Sequence, residues 1–68
     1  MEIFLDAFGN EIKNRDILVF ENKHLFRCLL QGEEYLLECL NEKIPLLRLS
    51  KICVGNVLVS AKVTRDKE

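Results

Sequence analysis

An all-β domain of five short strands is the fold class this sequence predicts, and three observations carry it. Turn-forming residues recur at 8–10, 21–23, 31–33, 41–43 and 54–56, with centres ten to thirteen residues apart; apolar runs at that spacing read as a small sandwich or barrel. Three of these turns hold the chain's only glycines, Gly9, Gly32 and Gly55, and glycine takes the positive φ that a tight turn demands. Between the turns, apolar and polar residues alternate with the period of two that marks a half-buried strand.

The elements follow in order. Residues 2–5 are the first candidate strand. The run DILVF (16–20) is apolar on both faces, as a central strand would be. In 23–31, Leu25, Arg27 and Leu29 share one face while His24, Phe26, Cys28 and Leu30 share the other. In 34–40, Tyr35, Leu37 and Cys39 oppose Leu36, Glu38 and Leu40. Leu and Glu favour helix, so an α+β alternative with a helix near 33–43 competes here. The strand is preferred because Gly32 and Glu33 stand where a tight hairpin loop would join it to 23–31. Pro45 confines the next segment, IPLLRL, to a sheet edge, since it cannot donate a ladder hydrogen bond. Residues 50–55 suit a single 3₁₀ turn. Residues 57–64 close the pattern, with Val57, Val59, Ala61 and Val63 on one face and Leu58, Ser60, Lys62 and Thr64 on the other.

Five strands, a central hairpin and a 3₁₀ turn before the last strand describe a small SH3-like barrel over residues 1–64, with 65–68 as a charged tail. The stretch DAFGNEIKNRDILVF (6–20) resembles the start of small phage-encoded barrels of the YopX type: an Asp, a Gly turn, an Ile, then a Gly-Asp corner running into a Val-rich strand. Asp6, Gly9, Ile12, Asp16, Ile17 and Val19 occupy those places. Arg15 departs from the pattern, standing where such proteins usually carry glycine. The match covers about a fifth of the chain. It implies a phage or prophage accessory or inhibitor protein. Independently of any family, Asp16 is placed to accept hydrogen bonds from nearby backbone amides, and Ile12 to tuck under the barrel mouth.

Composition narrows the function. Sixty-eight residues, 49% hydrophobic and 31% charged, make one folded domain rather than a disordered chain. A chain this short builds a thin core, so its apolar surplus predicts surface clusters and self-association as a homo-oligomer. The acidic start MEIFLDAF has no leader-like apolar run, and no stretch reaches membrane-spanning length. Three cysteines without pairing pattern fit a reduced, cytoplasmic protein. Residues 1–40 carry eight acids against four bases, and 41–68 carry six bases against three acids; an ordinary mixed surface is the preferred account of that asymmetry over a charged patch, since sequence halves rarely map onto faces of a small domain.

No chemistry-bearing motif emerges. His24, Cys28, Cys39 and Cys53 lack the close Cys pairs that structural zinc draws on, so no metal is expected, and buried cysteines behave as small hydrophobes. No catalytic constellation or clustered glycine loop is present, so neither an enzyme nor a cofactor is expected. Two binding readings remain. In the first, the edge segment presents Pro45, Leu46 and Arg48 to a protein partner, while Leu47 and Leu49 enter the core. In the second, Lys43, Arg48, Lys51, Lys62 and Arg65 contact nucleic-acid phosphates, against an acidic sequence pI of about 5.8 and aromatics placed mostly in the core.

Overall fold

A computed structural model describes residues 2–64; Arg65 and the expected tail lie outside them. The strands are β1 (Ile17–Phe20), β2 (Leu25–Gln31), β3 (Glu34–Cys39), β4 (Leu47–Arg48) and β5 (Ala61–Thr64), with a single helical turn, α1 (Leu49–Ile52), between β4 and β5. They form one antiparallel sheet in the order β4-β3-β2-β1-β5. The all-β expectation is met, with five strands among the described residues.

The β2–β3 hairpin is the longest ladder, running from Phe26 opposite Cys39 to Gln31 opposite Glu34. Its loop is Gly32-Glu33, with Gly32 at φ +66, so positive φ falls on the first loop residue, where glycine is the favoured choice. The helical alternative over 33–43 is thereby excluded. The helix preference of Leu and Glu loses because the strand places Tyr35 opposite Leu30 and Leu37 opposite Cys28. Burial against cross-strand neighbours outweighs local propensity. The β1–β2 turn closes with Lys23 at φ +75, its N–H donating to the Phe20 carbonyl at 2.8 Å.

The inner face of the sheet follows the predicted alternation. Leu18, Phe26, Cys28, Leu37, Ala61 and Val63 are buried, while Arg27, Lys62 and Thr64 point outward and are exposed. Phe4, Ile12, Leu49 and Leu58, all outside the strands, complete the core. Leu18, Leu37, Leu49 and Leu58 are fully buried; truncating any of them to Ala would cost about 2–5 kcal/mol. Phe20 meets Phe26 with ring centroids 4.9 Å apart.

Three segments differ from expectation. Residues 2–5 form no strand: Leu5 makes only single bridges, to Glu11 and to Val57. Its neighbours are loops, so each rung of pairing stands alone. Residues 57–64 are not one strand either. A turn at 59–60 precedes β5 and resets the alternation, so Leu58 is fully buried while Val59 is 58% exposed, the reverse of the predicted faces. The expected 3₁₀ turn at 50–55 is instead the α-type turn α1, which begins at the buried Leu49. Pro45 sits just before β4, and β4 is the edge the sequence predicts, shortened to two residues.

Candidate functional site

The N-terminal turn is built around one carboxylate. Asp6 is 1% exposed. Its Oδ1 accepts the N–H groups of Phe8 at 2.9 Å and Asn10 at 2.7 Å. Its Oδ2 accepts Asn10 Nδ2 at 3.1 Å and the Val63 N–H at 2.8 Å. The Ala7 N–H also donates to the Ala61 carbonyl at 3.0 Å. Residues 6 and 7 thus occupy the side of β5 that faces away from β1, where they engage the Ala61 carbonyl and the Val63 N–H. Burial alone would push the Asp6 carboxyl up. The hydrogen bonds from Val63, the Asn10 side chain and backbone, and Phe8 outweigh it and hold the group below the usual carboxylate value.

This turn, closed by Gly9 at φ +86, projects Phe8 into solvent at 71% exposure. The ring borders a groove of about 260 Å³ between the turn, the end of β1 and the 59–60 turn. Val19, Phe20 and Val59 line it, with Glu21 and Lys62 contributing charge. Lys62 stands opposite Val19 across the β1–β5 ladder and sets its ammonium 5.6 Å from the Phe8 ring centroid, within reach of a cation–π attraction. Among the described residues neither Glu21 nor Lys62 makes an ion pair. The lining is chiefly apolar, so what the groove can do is take up apolar side chains, with one charge of each sign to orient them.

The residues expected from the sequence are dispersed. Leu46 is 47% exposed and Arg48 points outward, as the edge reading requires, whereas Leu49 is fully buried and Leu47 packs against the core. Arg48 Nε already engages Glu34 Oε2 at 3.3 Å. Lys43 lies in the loop before β4 and Lys51 in α1. Lys62 is on β5, at the opposite end of the strand order from Arg48. Arg65 lies outside the described residues. His24 faces Glu42 at the surface, Nε2 to Oε2 3.5 Å. Cys28 is fully buried on the inner face, and burial, reinforced by the nearby Asp16 charge, pushes its thiol up to about 12; burial also raises Cys53. Among the described residues no three His, Cys, Asp or Glu side chains gather as a metal site would need.

Phe8 and Val59 are what sequence reasoning missed. Phe8 was open to discovery, because it stands inside the turn that Gly9 marks, where an aromatic has no strand face to hide on. No known protein family, curated protein or solved structure matches this chain.

Proposed function

We propose that this chain is a non-enzymatic protein-interaction module whose contact surface is the groove between Phe8 and Val59. The observation that carries the reading is the exposure of those two side chains, 71% and 58%, on either side of an apolar floor. Large apolar side chains rimming a concave surface and flanked by charge are the makings of a protein contact. The β4 edge with Pro45, Leu46 and Arg48 is a weaker candidate. It is two residues long, Pro45 precedes it and Arg48 is paired, and short edges guarded by proline and charge resist strand addition. The strand order, with β5 beside β1 and a helical turn between β4 and β5, supports an SH3-like barrel arrangement. The likeness of residues 6–20 to YopX-type barrels supports a phage or prophage setting for an accessory or inhibitor protein, and three cysteines without pairing pattern support a cytoplasmic one. Among the described residues no helix is long and apolar enough to cross a membrane.

Nucleic-acid binding is the less favoured reading, since Arg48 is neutralised by Glu34 and the sheet separates it from Lys62. Light scattering and gel mobility with single- and double-stranded DNA and RNA at low salt test the choice. The protein should leave nucleic-acid mobility unchanged. A retarded band that weakens steeply with salt, the mark of counterion release, would overturn the interaction-module reading.

A further inference from the structure

The groove carries an unusual combination: an apolar floor, two exposed apolar side chains, one acid and one base, with neither charge paired among the described residues. A partner that complements it must bring apolar surface, a base to meet Glu21 and an acid to meet Lys62. This same groove brings all of these. Around a twofold axis every contact between residues i and j is repeated between j and i, so a surface holding one acid and one base can complement itself.

Building on the interaction-module reading, we infer that the occupant of the groove is a second copy of this chain, docked about a twofold axis. In the dimer Phe8 and Val59 of each protomer cover the other's groove floor, while Lys62 faces Glu21 of the partner subunit and Glu21 faces Lys62 of the partner subunit. The exposed aromatic is held ready for this role. Asp6 fixes the turn that bears Phe8, and Lys62 lies against the ring, so little of the surface has to be ordered on association.

Charge reversal tests the arrangement. Glu21→Lys and Lys62→Glu alter exposed side chains, so circular dichroism should show both variants folded. In a twofold dimer each variant alone places like charges opposite one another twice, and the dissociation constant should rise by roughly tenfold or more. Mixing the two variants restores opposite charges at both contacts, so the mixture should form a heterodimer with near wild-type affinity. The double variant should self-associate like the wild type. Sedimentation equilibrium over a range of concentrations reads the wild type, both single variants, their mixture and the double variant. If the wild type associates but the single variants match it, or mixing fails to rescue, the twofold groove dimer is wrong. A wild type that remains monomeric throughout also overturns it. Neither result touches the choice between protein and nucleic acid, which the mobility experiment decides.

Discussion

Replacing Asp6 by alanine should nearly unfold this domain, although Asp6 belongs to no regular element. The carboxylate accepts four hydrogen bonds between 2.7 and 3.1 Å. The bond from Val63 is buried and spans 57 positions of sequence. Hydrogen bonds to a charged acceptor are each worth about 1.5–3 kcal/mol, and an orphaned buried donor costs about 1–3 kcal/mol. The bonds to Phe8 and Asn10 are partly buried, so water can replace some of their value. The sum is roughly 3–5 kcal/mol. Domains have only about 0.05–0.15 kcal/mol of stability per residue, so the loss is comparable to the whole. Asp6→Asn should fall between the wild type and Asp6→Ala, at a cost of roughly 2 kcal/mol, because an amide nitrogen turned toward the Val63 N–H cannot accept it. Urea unfolding followed by circular dichroism measures both, as a shift in midpoint at unchanged slope. The pH dependence supplies a second reading. Because the folded-state pKa of Asp6 lies below its unfolded value, its stabilisation is complete above about pH 4 and disappears as the pH falls through the lower folded value. Asp6→Asn should flatten that part of the stability profile. A cost below about 1 kcal/mol for Asp6→Ala would refute the idea that this carboxylate ties the N-terminal turn to β5.

Other outcomes follow from backbone conformation and burial. Arg15 sits at φ +78, so Arg15→Gly should stabilise by about 0.5–1 kcal/mol once the added freedom of the unfolded chain is counted, read as a raised melting temperature. Gly9→Ala meets no neighbouring atom but is forced to φ +86, and should lose about 1 kcal/mol or more in the same assay. Leu47→Glu should unfold the chain by burying an unpaired charge, while Leu46→Glu should leave a native circular-dichroism spectrum. At neutral pH Cys28, with its thiol raised to about 12, should resist alkylation until the protein unfolds, and mass spectrometry of pulse-labelled protein would detect earlier labelling.

The sequence disclosed what local patterning controls. The strands β1 to β3 and the Gly32 hairpin were readable because alternation and turn chemistry act over a few residues. Leu46 and Leu47 sorted correctly to opposite faces for the same reason. The first and last segments were not readable in this way. Whether residues 2–5 pair as a strand depends on distant loops, and the turn at 59–60 breaks an alternation that the letters VLVSAKVT continue without a mark. Asp6 stood out only as the first position of the N-terminal resemblance, and nothing near it in sequence announces that its second oxygen serves β5. The groove was hidden because it joins residues 8, 19–21 and 59–62, which come together only when β5 lies beside β1.

That placement of β5 also sets an order of events during synthesis. The hairpins β1–β2 and β2–β3 link neighbours in the chain and can form as soon as they emerge from the ribosome. The far side of β1 must wait for residues 61–64, the partners of Ile17 to Phe20. Until then Leu18 lies beside an unsatisfied strand edge, and Asp6 has no Val63 to hold. Closing so long a loop is an entropic cost borne before its contacts repay it. The nascent chain therefore passes through a stage with a sticky, unlatched strand, the stage most open to misassembly between neighbouring chains. Cleavage or premature termination before Ala61 would make that stage permanent.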